Sequence, residues 1–188
     1  MALQEQHFNF DFPNSKVLVV GGNGYFGFKL VEALLKQGCK SVRVLDRIQT
    51  RFMENPRVDF MCGDICDVES CTKACEGMDI VCHTASHFGN PPFGSLGKGE
   101  IEFQVNVLGT RTLLTAAKRA GIKKFIYISS SSAVFNGTRD FVQEKDDCGY
   151  PDYFVDHYGR CNAIAEQEVL AANDPKNSFF TIALRPNG

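Results

Sequence analysis

The sequence predicts an α/β domain built on a doubly wound parallel sheet, and two observations carry that prediction. Short apolar runs rich in β-branched residues alternate along the chain with segments whose apolar residues recur at helical spacing, and such alternation implies parallel pairing through right-handed crossovers. The turn after the first run, Gly21-Gly22-Asn23-Gly24-Tyr25-Phe26-Gly27, is of the glycine-rich kind that joins a buried strand directly to a helix. Size and composition agree. The 188 residues suit one core, and 44% apolar with 22% charged residues is ordinary for a globule, which excludes a disordered chain or a fibrous repeat.

Each element follows in order. Residues 1–15 read as a polar N-terminal tail, with no apolar stretch to act as a signal peptide, and residues 16–188 as the domain. KVLVVGG is a fully apolar run, as a buried parallel strand should be. YFGFKLVEALLKQGC is helical and stops at Gly38, a natural end cap. SVRVLD and RVDFMCGD read as strands, VESCTKAC as a short helix and DIVCHTA as a strand. One long helix runs through FQVNVLGTRTLLTAAKRAG, followed by a strand KFIYIS, a helix around DHYGRCNAIAEQEVLAAN and a strand FFTIALRP. Six strands in two βαβαβ halves give the order 3-2-1-4-5-6, with a ligand expected beyond the carboxyl ends of the strands where strands 1 and 4 diverge. The segments 86–99 and 130–153 are long for plain connections and are expected to act as lids or binding loops.

Several function classes drop out on charge and composition. A formal charge of −2 and a single basic cluster, KRAGIKK, give no footprint for nucleic acid, and that cluster reads as a solvated helix end. No run of 18 or more apolar residues predicts a transmembrane segment. Eight cysteines without an export signal read as free thiols of a cytoplasmic protein. Cys62, Cys66, Cys71 and Cys75 lack the spacing of the common zinc knuckles, and the four histidines are scattered, so no metal is expected.

The glycine turn leaves a strand and opens a helix, the context in which glycine backbone approaches a pyrophosphate that also meets helix N-terminal amides. Asp46 lies 19 residues beyond Gly27, at the end of the second strand, where a carboxylate binds two ribose hydroxyls. Its charge favours NAD, while the adjacent Arg47 keeps NADP open as an alternative. Asp64 and Ile65, in the sequence Gly-Asp-Ile, close the third strand; Asp64 is assigned to the adenine amine, the competing reading being a cap for the helix that follows.

Taken together, VVGGNGYFG, GDI, HTAS, VNVLGT, YISSSSAVFNG, HYGRCNAIAEQEVL and ALRP resemble, in that order, the extended short-chain dehydrogenase/reductases. The resemblance is strongest to the 3β-hydroxysteroid dehydrogenase/isomerase-like branch and its sterol-dehydrogenase-like members, and it runs from Lys16 onward. It implies an NAD(P)-binding Rossmann domain performing hydride transfer on a hydroxysteroid or similar apolar alcohol. In that family a tyrosine moves a proton to or from the substrate oxygen, a serine or threonine polarises that oxygen, and a lysine four residues after the tyrosine binds nicotinamide ribose. Tyr158 matches the tyrosine and Ser131 the hydroxyl, with Ser130 as second choice. Asn106 matches the family's fourth-helix asparagine, Ala85 and Ser86 the segment beneath the cofactor, and Arg185-Pro186 the end of the sixth strand.

Two departures stand out. The lysine position holds Asn162, which shares a helix face with Tyr158 and can reach a ribose but carries no charge. An unassisted phenol is ionised at pH 7 in only about one molecule in a thousand, and a cation about 4 Å away contributes roughly 4 kcal/mol at an effective dielectric near 20, an upper figure for what is missing. The chain also stops at ALRPNG, where the family continues into a substrate-binding region, which predicts exposed apolar surface and self-association or a covering partner. The alternatives to an oxidoreductase are a catalytically silent NAD(P)-binding module and an enzyme of the nucleotide-sugar epimerase or dehydratase type.

Overall fold

The computed structural model describes residues 14–48, 55–89, 98–138 and 148–187. The tail 1–13 and parts of the two long loops, 90–97 and 139–147, lie outside the described residues. Six strands, β1 (Lys16–Val20), β2 (Ser41–Asp46), β3 (Val58–Cys62), β4 (Ile80–His83), β5 (Lys124–Ile128) and β6 (Phe180–Leu184), form one sheet in the order β3-β2-β1-β4-β5-β6. All five pairings are parallel, as the sequence predicts. The helices are α1 (Tyr25–Lys36), α2 (Val68–Cys75), α3 (Lys98–Glu102), α4 (Thr110–Arg119) and α5 (His157–Ala171).

Strand β1 is apolar throughout because both of its faces are covered. Leu18 and Val20 enter a core with Leu45, Val81, Phe125 and the inner faces of α2, α4 and α5. Val17 and Val19 enter a second core with Val42, Val44, Ile80 and Cys82, closed by Val31, Leu34 and Leu35 of α1. Alternation along a strand thus serves two layers at once. At the other end of the sheet β6 is an edge strand, and its Ile182 and Leu184 are about half exposed. All eight cysteines are free, and burial pushes the thiols of Cys71, Cys75 and Cys82 up to about 12.

The single long helix expected at 103–121 is a composite. It starts five residues earlier, as α3, passes through a π-helical segment at Phe103–Gly109 and resumes as α4. Apolar spacing cannot distinguish an α from a π turn over so short a stretch, and π segments are frequent at functional sites. This one carries Asn106, whose carbonyl accepts the Thr110 hydroxyl at 2.6 Å. The third strand also ends earlier than expected, at Cys62, leaving Gly63 and Asp64 as the turn beyond it.

Register brings the chemistry to one edge of the sheet. Val20 pairs with Leu45 and with His83. The ladder runs one residue past the strands, with Gly21 N–H donating to Leu45 O at 2.8 Å, Gly63 N–H to Asp46 O at 3.0 Å and Thr84 N–H to Val20 O at 2.9 Å. Gly21, Asp46, Gly63 and Thr84 therefore stand in a row at the carboxyl ends of four neighbouring strands.

Candidate active site

A crevice of about 220 Å³ opens at that row, where the chain leaves β1 and β4 toward opposite faces of the sheet. It is lined by Gly21, Gly24, Asp46, Arg47, Asp64, Ile65, Ala85 and Ser86 among the residues singled out from sequence. Val20, Leu45, Gly63, Thr84, His87 and Val105 line it as well; the first four read only as strand and Val105 only as helix, while His87 falls in the loop 86–99 without a role of its own. Gly22, Asn23, Tyr25, Phe26 and Gly27 shape the turn without lining the crevice: Gly22 packs on Val44, and Tyr25 and Phe26 point to solvent.

The turn is built by close backbone approach. Gly21 has φ +81°, and a Cβ there would lie 2.6 Å from the backbone N and Cα of Ala85, so only glycine fits. The result is an open helix start, for no side chain caps α1 and no acidic residue occupies its first turn. By contrast Asp67 caps α2, accepting Ser70 N–H at 2.8 Å, and Asp156 caps α5, accepting Gly159 N–H at 2.7 Å. Asp64 is thus not the cap of α2; its Oδ1 accepts the Cys66 N–H at 2.9 Å inside the turn after β3.

Asp46 keeps binding capacity in reserve. Its carboxylate accepts Asn23 N–H at 2.9 Å and Arg47 N–H at 2.7 Å, which occupies two of roughly four lone-pair directions and leaves the others toward the crevice. The Asn23 amide in turn donates to Ile48 O, tying the glycine turn to the end of β2.

Asn106 stands behind the opposite wall, 2% exposed. Its Oδ1 accepts His87 N–H at 2.7 Å and Ser86 Oγ–H at 3.3 Å, and its Nδ2 donates to His87 O at 2.9 Å, so one amide pairs with His87 as a neighbouring strand would. Beneath it His83 is fully buried. Thr110 spends its hydroxyl proton on Asn106 O, so His83 Nε2–H donates to Thr110 Oγ1 at 2.9 Å, and the lone pair on Nδ1 has no partner among the described residues. Burial holds this imidazole neutral, its pKa lowered to about 3.

Of the catalytic set predicted from the family pattern, Asn106 lies on the π-helical segment, Tyr158 and Asn162 on α5 and Ser131 on the turn after β5. Tyr158, in the first turn of α5, meets the Phe88 ring edge-to-face at 4.9 Å and 85°. The 3₁₀ turn Ser131–Ala133 packs on the same first turn, where a Cβ on Gly159 would lie 2.6 Å from Ser132 O. Within the serine run, Ser130 caps that 3₁₀ turn and Ser129 bonds a buried glutamate, while Ser131 Oγ donates to Asn187 Oδ1 at 3.4 Å.

Asn162 departs from expectation. It is 1% exposed and faces inward, accepting the Tyr127 hydroxyl at 3.0 Å and donating to Tyr158 O at 2.9 Å. A short amide is drawn into these interior bonds where a long side chain would extend past them, so it does not line the crevice. Burial, and next the neighbouring Tyr158, push the Tyr127 hydroxyl pKa up, so Tyr127 remains a proton donor to Asn162.

Sequence reasoning missed Glu166, also 1% exposed. It accepts Ser129 Oγ–H at 2.5 Å, the Tyr150 hydroxyl at 2.9 Å and the Arg185 guanidinium at 2.6 and 2.9 Å, a buried charge satisfied on all sides. The signal was present: Tyr158, Asn162 and Glu166 recur every four residues, on one face of α5. Glu166 holds the Arg185 pKa above its ordinary value, and burial together with the bond to Glu166 pushes the Tyr150 hydroxyl up to about 12. Among the described residues no three His, Cys, Asp or Glu side chains gather to hold a metal, and no helix is long and apolar enough to cross a membrane.

Residues 18–188 match the 3-beta hydroxysteroid dehydrogenase/isomerase family. The chain is 38% identical over 173 residues to the sterol-4-alpha-carboxylate 3-dehydrogenase, decarboxylating, of Mus musculus, covering 92% of this chain and 45% of that protein. It is 37% identical over 175 residues to the 3 beta-hydroxysteroid dehydrogenase/Delta 5-->4-isomerase of Mycobacterium tuberculosis, covering 92% and 46%. A short-chain dehydrogenase/reductase superfamily protein of Agrobacterium tumefaciens, solved with bound NAD, superimposes with a TM-score of 0.77 at 26% identity over 90% of this chain and 48% of that one. The chain spans about half the length of the curated relatives it matches.

Proposed function

The chain belongs to the 3-beta hydroxysteroid dehydrogenase/isomerase family, and from that premise we propose that it is the cofactor-binding and proton-handling part of an NAD-dependent oxidoreductase. Its substrate class is a hydroxysteroid or a similar apolar alcohol or ketone. The observation that carries the reading is the crevice itself, which places a glycine turn, an uncapped helix start and the Asp46 carboxylate in one space.

In this reading the amides at the start of α1 hold the pyrophosphate, Asp46 the adenosine ribose diol, and Asp64 with Ile65 the adenine. Asp46 supports NAD over NADP, since its charge repels a 2′-phosphate. NAD supplies the hydride acceptor when bound. The chain's own part is proton handling: as the alcohol carbon gives up its hydride, the hydroxyl proton passes to the oxygen of Tyr158 in its phenolate form, which becomes the neutral phenol, with Ser131 hydrogen-bonded to the same substrate oxygen. The exposed ring of Phe88, packed against Tyr158, supports an apolar substrate, because a large apolar group left in solvent next to a polar site favours an apolar ligand. The free cysteines support a reducing, cytoplasmic setting, and the exposed edge of β6 supports a covering partner or second copy.

A second reading is favoured by one observation. Asn162 is uncharged and spends its amide on Tyr127 and on the Tyr158 carbonyl, which supports a binding module without turnover.

Calorimetric titration with NADH and then NADPH tests the first part. NADH is expected to bind more tightly than NADPH, and Asp46→Ala to weaken it at least about tenfold, a cost of roughly 1.4 kcal/mol. A cooperatively folded chain that binds neither sinks the proposal. Single-turnover oxidation of a 3β-hydroxysterol, followed by NADH absorbance, then separates the readings: an enzyme loses about 10²- to 10⁴-fold in rate on Tyr158→Phe, whereas a silent module shows no turnover in either form.

A further inference from the structure

We propose that Glu102 is a positioning residue for Tyr158, a single buried carboxylate that fixes both the helix start bearing the phenol and the loop bearing the ring packed against it. The proposal rests on Tyr158 being the proton-handling group.

Glu102 closes α3 and is 3% exposed. A buried carboxylate is tolerated only when its oxygens are satisfied, and here each oxygen has a different partner. Oε1 accepts the Gly89 N–H at 2.9 Å, and Oε2 lies 3.1 Å from His157 Nδ1. A carboxylate only accepts, so the imidazole presents its Nδ1–H. These partners are chain neighbours of the two rings in edge-to-face contact: Gly89 follows Phe88, and His157 precedes Tyr158.

The rest of the geometry agrees. Glu102 and Asn106 are four residues apart, and they hold the same loop at two points, Asn106 at His87 and Glu102 at Gly89. Phe88 is therefore pinned on both sides while its ring stays 63% exposed and meets Tyr158 edge-on. On the α5 side Cys161 Sγ lies 3.4 Å from the same His157 nitrogen, so the imidazole is held between α3 and α5. None of these groups touches the turn at Gly21 or the Asp46 carboxylate. Removing the clamp should thus move Tyr158 against Phe88 and leave the cofactor crevice intact.

The test uses the full chain labelled with 3-fluorotyrosine. It contains five tyrosines, and Tyr158→Phe assigns the resonance of interest. Phe88→Leu shows how far that resonance moves when the ring current is lost. Glu102→Ala is expected to move it in the same direction and Glu102→Gln to move it less, while the other four signals stay in place. NADH affinity is expected to stay within about twofold, as for sites that share no partner. An unmoved Tyr158 signal in Glu102→Ala overturns the proposal, and so does a shift accompanied by lost NADH affinity, which marks a general structural role. Should Glu102→Ala fail to fold, His157→Ala removes the more exposed partner and is judged by the same signal. If the parent chain binds no NADH, the proposed function falls on that result, whereas the clamp is still decided by the resonance.

Discussion

The starts of α1 and α5 face the same end of the sheet and are finished in opposite ways. At α1 the chain uses glycine, with no capping side chain and no acidic first-turn residue, so the amide dipoles stay uncovered. At α5 the Asp156 side chain caps the first turn, Ser132 O packs on Gly159, and Glu102 reaches His157. The difference fits the proposed function: a helix end meant to receive a phosphate must leave its N–H groups free, while one meant to aim a phenol must have its first turn fixed by its neighbours.

Three substitutions would break or sharpen that contrast. The largest effect is expected where α5 is locked to the end of β6. Arg185→Ala leaves Glu166 buried with its charge uncompensated, and breaking a buried pair costs about 3–5 kcal/mol; urea denaturation of the variant should show the lower midpoint. Next comes Gly24→Asp, which gives α1 the cap it lacks. Stability should hold or rise, yet NADH affinity should fall more than about tenfold, or roughly 1.4 kcal/mol, because a carboxylate then sits at the proposed pyrophosphate site; calorimetry reads the affinity and a thermal melt the stability. The smallest is Asp156→Ala, expected to cost about 1 kcal/mol of stability through the lost cap. It should leave NADH affinity unchanged, and an equal loss in binding would mean that the two helix starts are not separate devices.

How much of this could be read from the sequence depends on the range of the interaction. The six strands, their order and the glycine turn were legible because burial on two faces and backbone crowding write themselves into residue type: Val17 to Val20 admit no polar residue, and Gly21 admits no side chain. Asp46 and Asp64 were legible from their places at the ends of strands, Ala85 and Ser86 only through the family resemblance, and all four line the crevice. Glu166 was not found, although its spacing from Tyr158 and Asn162 was in view. Its donors come from Ser129, Tyr150 and Arg185, three separate segments that no local pattern links. The π-helical turn was also invisible, since seven residues of apolar spacing fit either winding.

Asn162 shows where the division falls. By itself the sequence determined that the motif position carries no cation, and it determined the layered α/β architecture, since periodicity and glycine placement are local properties of the chain. Only the tertiary structure decided what the amide does instead. It binds Tyr127 on β5 and the carbonyl of Tyr158. The same holds for Glu102, which joins Gly89 to His157. Hydrogen bonds between segments distant in the chain depend on where the fold puts their ends, and the pattern of residue types along the chain does not encode those distances.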